Sequence, residues 1–528
     1  MRRVLIESCL FIAFFHFSAL SQVPYNTEPG WLSEYDSLYG TGCAIDDVNG
    51  DDFPDLAVSN GNDIVQAPNL VYFTPDGYMS DSALWISANI AFSGHCDLGD
   101  YDSDGYPELA VSNYISSGWE PELLDIYDNV QGGLETFPSW RSDDSLYSFR
   151  LAWGDADNDG DLDLAVATGE AYNDRPRQNL IYFNVNGVLQ TSPGWASADS
   201  NKSYDVKWVD IDLDGDLDLA FCESSGPVKI YLNYVDSIAT IAEIQTAESD
   251  NYNSFDFADI NGDGYPELGI AANRQFSGTG RFKLFANDNG ILDSLPFWTS
   301  ADSGYGSEAA FSDIDEDGDY DLICGRWWGE VYIYLNDQGA FPATPDWTSS
   351  DSYTSVIENI VFGDFNRGGE RKFRAVYYPP RPRLFYLPRR QLAGVDSIRI
   401  DGIAVGLEGY CFSLWDGWIS VDLSVSDSLE VFYRYSLSRD MAVTNWDTET
   451  YIFYNTSIPF IPGDANDSGH LNGLDVTYLV AYLKGQAPPP AMRFQGDANG
   501  TCDVNGLDVI YLVNYFKGGP GPFAGDCD

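Results

Sequence analysis

The chain contains the segment Gly154-Asp155-Ala156-Asp157-Asn158-Asp159-Gly160-Asp161-Leu162-Asp163-Leu164-Ala165-Val166, an acidic loop that runs directly into an apolar stretch. Carboxylates fall at loop positions one, three, five and nine, at Asp155, Asp157, Asp159 and Asp163. Ca²⁺ prefers about six to eight oxygen ligands in flexible geometry, and alternating carboxylates on a tight loop supply them. Gly160 at position six permits the left-handed backbone that turns position nine back toward the ion. The run Leu164-Ala165-Val166 is typical of a strand buried between layers.

The same loop recurs along the chain, and each good copy predicts one Ca²⁺ site. The ligand positions of the other copies are Asp47, Asn49, Asp51 and Asp55; Asp100, Asp102, Asp104 and Glu108; Asp210, Asp212, Asp214 and Asp218; Asp259, Asn261, Asp263 and Glu267; and Asp313, Asp315, Asp317 and Asp321. The first copy carries Asp52 at position six, but Asp tolerates left-handed backbone better than most residues. A further copy begins at Asp364, where Gly368 and Lys372 replace the fifth and ninth ligands, so we predict no metal there.

The charge of the chain is unusual, with 82 acidic against 27 basic residues among 528 and a net charge of −55. Such acidity is typical of disordered proteins. Aromatic residues make up 15% of the chain, however, and apolar runs are frequent, so a folded core is expected. Much of the acid lies in the loops, where bound cations would neutralise it. Nucleic-acid binding is disfavoured, because no basic face is present to release counterions.

Residues 1–21 have the pattern of a secretory signal peptide. Arg2 and Arg3 precede a short apolar stretch, and Ala19 and Ser21 have cleavage spacing, so we predict cleavage before Gln22. An uncleaved anchor is the alternative. No later segment is long and apolar enough to span a bilayer. We therefore predict a secreted protein, extracellular or attached to the cell surface, with no transmembrane segment after signal cleavage.

The loops recur at intervals near fifty residues, with first ligands at 47, 100, 155, 210, 259, 313 and 364. Each unit adds further short strands, such as Leu180–Phe183, and most carry a Trp-x-Ser segment, such as Trp195–Ser197. This period with several strands per unit predicts a β-propeller. The tail at Trp31 precedes the first loop, where it can supply the outer strand of the last blade. Seven blades are expected.

The loops, with the pattern Asp-x-Asp-x-Asp-Gly-x-x-Asp followed by Leu-Ala-Val, resemble the FG-GAP/VCBS repeats of integrin α-subunit propellers and of many secreted bacterial proteins. The resemblance covers residues 22–390. It implies a mainly β protein, a propeller that binds Ca²⁺, and says little about the ligand.

Residues 391–458 allow two interpretations. Alternating runs such as Leu429–Tyr433 favour a small β-sandwich-like domain. Residues 417–456 instead resemble one more repeat, because Asp440–Asn445 matches Asp55–Asn60, and they would then form an eighth, metal-free blade.

Residues 459–528 contain two EF-hand-like loops, each followed by a helix. Oxygen side chains fall at positions one, three, five, nine and twelve, at Asp464, Asn466, Ser468, Asn472 and Asp475 and at Asp497, Asn499, Thr501, Asn505 and Asp508. The pair is similar to a dockerin domain, which implies that residues 463–528 dock onto a cohesin-like protein module. Cys502 replaces the turn glycine of the second loop, so weaker Ca²⁺ binding is expected there. A Cys502–Cys527 disulfide would brace that loop in an oxidising compartment.

Catalytic motifs are not evident in the sequence. Only His95 and His470 remain after signal removal, and no metalloprotease helix, nucleophile elbow or phosphate-binding glycine loop is found. A glycosidase-type carboxylate pair stays open, although most acids are better explained as Ca²⁺ ligands. Cys43, Cys96 and Cys324 are expected in the core. The Trp-x-Ser segments are expected to pack between blades rather than to bind sugars.

These observations favour a Ca²⁺-stabilised binding or adhesion module, with a glycan or extracellular protein as the ligand at the propeller face. Two alternatives are a dockerin-borne polysaccharide-degrading enzyme and a structural component of the cell surface or matrix. The propeller motifs concern shape and metal rather than chemistry, which favours the non-catalytic reading.

Overall fold

A computed structural model provides the fold, which is mainly β and built from small four-stranded antiparallel sheets, as in a β-propeller. The structure describes residues 23–35, 38–75, 79–234, 237–366, 370–377, 383–421, 428–436, 438–446, 448–456, 463, 465–466, 471–487, 496, 498–499, 504–519 and 522. The predicted signal peptide and the cysteines at 502 and 527 lie outside these residues.

One repeating unit of four antiparallel strands accounts for most of the chain. Its first and second strands flank the acidic loop, its third strand is short, and its fourth usually begins with tryptophan. The strands are Gly40–Asp46, Asp55–Asn60, Leu70–Tyr72 and Trp85–Ile86 in unit 1; Phe92–Gly99, Glu108–Ile115, Asp125–Tyr127 and Trp140–Arg141 in unit 2; Ser148–Gly154, Asp163–Thr168, Leu180–Tyr182 and Trp195–Ala196 in unit 3; Ser203–Val209, Asp218–Gly226, Lys229–Tyr231 and Ile244–Gln245 in unit 4; Asp250–Ala258, Glu267–Ala272, Phe282–Phe285 and Trp298–Thr299 in unit 5; and Tyr305–Ser312, Asp321–Gly329, Tyr332–Tyr334 and Trp347–Thr348 in unit 6.

Unit 7 is assembled from three distant parts of the chain. Ser355–Gly363 pairs with Asp440–Asn445, which pairs with Tyr451–Phe453. The outer strand is Trp31–Leu32, with Trp31 opposite Ile452 and Leu32 opposite Tyr451. The prediction that the Trp31 tail supplies the outer strand of the last unit is confirmed, and this pairing ties the N-terminal segment to the end of the array.

Residues 364–439 interrupt unit 7 between its first and second strands, and we call them the insertion. Its two small sheets comprise Glu370–Tyr377, Leu429–Ser436, Gly394–Ile400 and Ile403–Ala404, and Leu384–Tyr386, Trp418–Val421 and Tyr410–Phe412. Apolar side chains from both sheets share one core that includes the fully buried Ile398, Ile419 and Val431.

Residues 391–458, for which the sequence allowed two interpretations, are divided between the insertion and unit 7. Residues up to Ser436 belong to the insertion, which begins before residue 391, and Asp440–Asn445 completes unit 7 instead of starting an additional unit. The likeness of Asp440–Asn445 to Asp55–Asn60 reflects the same role, because both are second strands. Both interpretations of the sequence placed Asp440–Asn445 outside unit 7, because the insertion separates this strand from the first strand of the unit.

Aromatic pairs join most units to the next. In units 1, 2, 3 and 5 the fourth-strand tryptophan packs edge-on against a tyrosine in the third strand of the following unit. In unit 6, Trp347 packs edge-on against Phe453, and the fourth strand of unit 4 begins with Ile244 instead. The ring centroids lie 5.2 Å apart for Trp85 and Tyr127 and 5.7 Å apart for Trp140 and Tyr182. Trp85 Nε1 also donates to the Leu134 carbonyl of that unit at 3.0 Å. The prediction that these tryptophans pack between blades is therefore confirmed.

The same contact links unit 7 back to unit 1. Trp31 packs edge-on against Tyr72, with ring centroids 5.3 Å apart. Cys43, Cys96 and Cys324 lie in the hydrophobic core, as predicted, and each is at most 7% exposed.

The first strands converge on Arg150. Its guanidinium donates to Asp205 at 2.7 Å, to Glu308 at 2.5 Å and to His95 Nδ1 at 3.0 Å, so that units 2, 3, 4 and 6 meet at one side chain. Arg150 is 5% exposed. A buried charge is tolerated only when it is paired and hydrogen-bonded, and here the partners come from three other units.

Two helices, α1 (Gly473–Leu483) and α2 (Gly506–Tyr515), follow the C-terminal loops. Each begins with a capping box, formed by Asn472 with Asp475 and by Asn505 with Asp508. Short 3₁₀ turns occur at Gln275–Ser277, Asp351–Tyr353 and Leu407–Gly409. Neither helix in the described part of the chain has the length and apolar character that crossing a membrane requires.

The Trp31 contact predicts a specific loss of stability. Trp31 is 7% exposed, and we expect Trp31→Ala to lower the free energy of unfolding by about 3–5 kcal/mol, because burial of a large aromatic is lost at the junction of units 7 and 1. Leu32→Ala is the matched control, since that side chain is 38% exposed, and its effect should stay within about 0.5 kcal/mol. Urea unfolding followed by circular dichroism measures both. Equal effects of the two substitutions would contradict the junction.

Candidate metal centres

The predicted ligands lie in equivalent loops, each connecting the first and second strands of units 1 to 6. In four of these loops, positions one, three and nine bring carboxylate oxygens within 4.8 Å of one another. The clusters are Asp100, Asp102 and Glu108; Asp155, Asp157 and Asp163; Asp210, Asp212 and Asp218; and Asp313, Asp315 and Asp321. Each cluster has the oxygen ligands to hold a metal ion.

Backbone amides hold the first and ninth carboxylates of the loop in place through hydrogen bonds. Asp155 Oδ1 accepts from the amide of Asp159 at 3.1 Å, and Oδ2 accepts from Gly160 at 3.0 Å. Asp163 Oδ2 accepts from the amide of Ala156 at 2.8 Å, and Oδ1 accepts from Asn184 at 2.6 Å. The same pattern holds Asp210 and Asp218 in unit 4. The ligands are thus positioned by the loop itself.

Position five makes a hydrogen bond within the turn, and its role as a metal ligand stays a prediction. Asp159 Oδ1 accepts from the amide of Asp161 at 3.0 Å, and the residue is not among the clustered carboxylates. Asp104 and Asp263 likewise accept from the amides two residues further on. The fifth carboxylate therefore closes the turn, and one of its oxygens stays available for an ion.

Left-handed backbone occurs at two positions of each loop. Gly160 has φ 92°, as predicted, and Asp52 takes the same conformation with φ 68°. Position four is also left-handed, with Asn158 at φ 57° and Leu213 at φ 59°. Left-handed backbone at position four was not predicted, because the residue types there differ from copy to copy.

The carboxylates are crowded and buried. Burial raises the pKa of Asp55 to about 8 and of Asp218 to about 8, with neighbouring loop carboxylates adding to the shift. Burial also raises the pKa of Glu108 to about 9. A bound cation would favour the charged forms and reverse these shifts.

Buried oxygens without hydrogen-bond donors show whether the loops are suited to a metal ion. Both carboxylate oxygens of Asp315 and the side-chain oxygen of Asn49 are buried and accept no hydrogen bond from the described residues. Buried polar atoms normally have partners. Oxygens without donors, placed between carboxylates, match the needs of a hard cation and not those of a hydrogen-bond network.

The loops of units 1 and 5 contain fewer carboxylates, because position three is Asn49 or Asn261. Asn261 Nδ2 donates to Glu267 Oε1 at 2.8 Å, and its Oδ1 accepts from the amide of Asp263 at 2.8 Å. In unit 1, Asp47 accepts from the amides of residues 51 and 52. These loops keep the shared geometry with one negative charge less.

The loop that begins at Asp364 requires a correction. Lys372 is not its ninth residue, because Lys372 lies on a strand of the insertion opposite Arg434. Asp440 takes the ninth position instead, accepting from the amide of Phe365 at 3.0 Å and from that of Asn455 at 2.8 Å. The insertion separates the two halves of the loop, so a fixed sequence offset finds the wrong residue. Gly368 lies outside the described residues.

The C-terminal loops are described in part. Asp475 and Asp508 are fully buried, and Asp508 Oδ1 accepts from the amide of Ala498 at 3.1 Å. The side-chain oxygens of Asn466 and Asn499 are buried and accept no hydrogen bond from the described residues. The predicted ligands Asp464, Ser468, Asp497 and Thr501 lie outside the described residues.

The unit 4 cluster offers a clear test, because among the described residues no arginine or lysine pairs with its carboxylates, whereas Arg389 lies 3.3 Å from Asp313. We expect Asp212→Ala to reduce the stabilisation of the protein by Ca²⁺ by about 1–3 kcal/mol, since one ligand is lost from a site that binds only the folded state. Stability in the metal-free protein should change little.

The matched control is Leu213→Ala, the neighbouring loop residue with a side chain 43% exposed. Thermal unfolding with Ca²⁺ and after treatment with a chelating resin measures both variants. An unchanged Ca²⁺-dependent shift in Asp212→Ala would contradict a metal site in this loop.

Comparison with known proteins gives one family. The FG-GAP-like repeat family matches residues 155–221 and 210–270. No curated protein matches the sequence. Among solved structures, a computationally designed protein named Ika8 aligns at 8% identity and TM-score 0.41, covering 81% of this chain and 99% of that one. BBS1N in complex with ARL6DN aligns at 8% identity and TM-score 0.43, covering 81% and 94%. Saccharomyces cerevisiae Sqt1 aligns at 9% identity and TM-score 0.44, covering 81% and 99%.

The two matched segments span units 3 and 4 and the start of unit 5, and they contain the acidic loops described above. The chain therefore carries FG-GAP-like repeats, and the small four-stranded sheets around them support an FG-GAP β-propeller.

Proposed function

We propose that this protein is a secreted, Ca²⁺-stabilised β-propeller of seven blades that acts as a binding or adhesion module. A C-terminal dockerin-like segment, residues 463–528, tethers it to a cohesin-bearing scaffold or cell surface. The seven four-stranded units are the blades, and the contact between Trp31 and Tyr72 supports closure of the ring.

Calcium is proposed as the ion because the ligands are oxygens alone, supplied by carboxylates and amide side chains on flexible loops. Zinc and copper sites are typically built with histidine or cysteine. The clusters of the described acidic loops contain neither residue type. An extracellular location provides Ca²⁺ at concentrations that suit sites of modest affinity.

The observation that carries the binding function is a row of aromatic side chains at the end of the blades opposite the acidic loops. These residues lie in the connections between second and third strands. The ring centroids of Trp119 and Tyr172 are 6.1 Å apart, and those of Tyr172 and Phe276 are 5.4 Å apart. Tyr172 is 43% exposed and Phe276 is 45% exposed. Blades 2, 3 and 5 therefore present one continuous aromatic surface, which we call the aromatic row.

The backbone at this surface is strained. Trp119 has φ 63° and Phe276 has φ 46°, and Trp328, near the end of the second strand of blade 6, has φ 53° and is 60% exposed. A bulky residue in left-handed backbone is uncommon and costs about 1–3 kcal/mol. Such strain is typical of functional surfaces, where it holds a side chain in a fixed position.

A neutral glycan is the ligand that fits the aromatic row. The C–H faces of sugar rings pack on aromatic faces, while sugar hydroxyls bond to polar groups beside them. Tyr172 contributes its hydroxyl, which bonds to Gln275 Oε1 at 3.2 Å. Polyanionic ligands are disfavoured because the chain carries a net charge of −55.

A glycan array with neutral oligosaccharides tests this function. We expect binding that weakens at least tenfold in Tyr172→Ala and in Phe276→Ala, because each substitution removes one stacking surface worth about 1.4 kcal/mol or more. Phe137→Ala is the control, since Phe137 is 64% exposed and lies outside the row. Equal loss in all three variants, or no glycan bound by the unaltered protein, would contradict the proposal.

The tether is tested separately with purified cohesin modules. We expect the full chain to be captured with Ca²⁺ and released by a chelator, because α1 and α2 follow loops whose Asp475 and Asp508 are buried at the proposed ion sites. A chain that ends at residue 456 should not be captured. Capture that is independent of Ca²⁺ or of residues 463–528 would contradict a dockerin.

A further inference from the structure

A cavity of about 630 Å³ lies between the insertion and the first strands of the propeller. The propeller side contributes His95, Lys207 and Glu308, and the insertion contributes Trp415 and Asp416. Sites for small molecules commonly have volumes of about 300–1,000 Å³ and combine aromatic walls with a few polar groups. The size and the mixed lining of this cavity fall in that class.

Most charges in the wall of the cavity are already paired. Arg150 is neutralised by Asp205 and Glu308. Arg434 of the insertion pairs with Asp396 at 2.9 Å and with Asp52 at 3.3 Å. Asp416 pairs with Arg390, which lies outside the lining, at 3.1 Å.

The carboxylate of Asp97 is also satisfied. Its Oδ2 accepts from the amide of Trp153 at 3.1 Å, and its Oδ1 accepts from the amide of Leu98 at 3.0 Å. Lys207 is the remaining cationic side chain in the lining of the cavity.

Lys207 is the exception. Within the part of the chain that the structure describes, no carboxylate oxygen lies within 4.0 Å of its ammonium group, although the side chain is partly buried. Its contact is with Trp415, whose ring centroid lies 5.9 Å from Nζ. Burial acts to lower the pKa of Lys207, but the charges of Asp205, Asp256 and Glu308 outweigh it and raise that pKa, so the ammonium stays charged. A charged ammonium in the wall of a cavity, with no carboxylate of the described residues in contact with it, is a binding group for an anionic ligand.

We propose that this cavity binds a small sugar acid, with its carboxylate on Lys207 and one face of its ring on Trp415. A single ammonium favours a single negative charge, because Asp97, Asp416 and Glu308 repel a second. The same carboxylates accept hydrogen bonds but donate none when ionised. The ligand must therefore supply donors, and the hydroxyl groups of a sugar provide them.

The insertion supplies one wall of this site. Unit 7 lacks a continuous acidic loop because the insertion begins there, and the insertion brings Trp415 and Arg434 to the cavity. Phe362 of the first strand of unit 7 stacks on Trp415, with ring centroids 6.0 Å apart, which holds the indole in place. Trp415 is thus a fixed platform beside the unpaired cation.

Isothermal titration calorimetry of the full chain with D-glucuronate and D-galacturonate tests the site. Samples contain Ca²⁺, because the acidic loops of units 1 and 2 lie at the mouth of the cavity. This condition rests on the proposed Ca²⁺ sites, and metal analysis of the same sample separates the two proposals. We expect at least one sugar acid to bind, and D-glucose and glucose 6-phosphate to bind at least tenfold more weakly.

Lys207→Gln should weaken binding of the sugar acid at least tenfold. Lys202→Gln should leave it unchanged, since Lys202 lies near the start of the same strand and pairs with Asp174 at 2.9 Å. Any one of three results would overturn the proposal. The first is that neither sugar acid binds the Ca²⁺-loaded protein at about 10 mM, a concentration at which even weak binding is detected. The others are that glucose binds as well as the sugar acid, or that Lys207→Gln binds the sugar acid normally.

A second measurement needs no variant. Reductive methylation of the unaltered protein, read by mass spectrometry, should slow at Lys207 in the presence of the bound sugar acid and remain constant at Lys202. Equal rates at Lys207 with and without the sugar acid would overturn the assignment even if Lys207→Gln failed to fold.

Discussion

Several carboxylates that share one buried loop cannot all stay ionised without a positive charge between them. In this protein the same carboxylates also hold the sheets together. Asp163 begins the second strand of unit 3, and its two oxygens accept from Ala156 in the loop and from Asn184 after the third strand. A cation that neutralises Asp163 therefore strengthens the point where three elements of one blade meet. Metal binding at this loop would be coupled to folding of the blade, because one side chain would serve both.

This coupling extends from one unit to the next. Asn184 Nδ2 donates to the carbonyl of Tyr101 in the acidic loop of unit 2 at 2.7 Å, and Asn233 donates to the carbonyl of Ala156 in the loop of unit 3 at 2.8 Å. Asn336 makes the same bond to Ile260. An ion that orders one loop thus fixes the carbonyl that positions the next unit. The edge-on contacts of the fourth-strand tryptophans link units a second time, at their outer strands. Neighbouring units are therefore joined both at the acidic loops and at the outer strands.

The features that the sequence predicted are local ones. The loops, the left-handed Gly160 and the apolar second strands all follow from residue spacing within about a dozen positions, where side-chain order and backbone geometry are directly related. The role of Trp31 was predictable because the tail repeats a recognisable segment. Neither interpretation of residues 391–458 placed Asp440 in unit 7, since the insertion separates it in sequence from Phe365, from whose amide it accepts a hydrogen bond. Arg150 and Lys207 had no motif, because their significance depends on residues from several units meeting at the centre.

The insertion changes how the acidic loops are neutralised. It contains 11 of the 27 basic residues of the chain, at positions 367, 371, 372, 374, 381, 383, 389, 390, 399, 434 and 439. Within the described residues, three of them form ion pairs with acidic loops: Arg389 lies 3.3 Å from Asp313, Arg434 lies 3.3 Å from Asp52, and Arg439 lies 3.1 Å from Glu316.

The loops of units 1 and 6, which flank unit 7, therefore receive positive charge from protein side chains as well as from any bound ion. The loops of units 2 and 4 receive none from arginine or lysine within the described residues, so only a bound cation would neutralise their carboxylates. Unit 7 has lost its own continuous loop, yet through the insertion it supplies positive charge to its two neighbours. We therefore expect removal of metal to affect the loops of units 2 and 4 more than those of units 1 and 6.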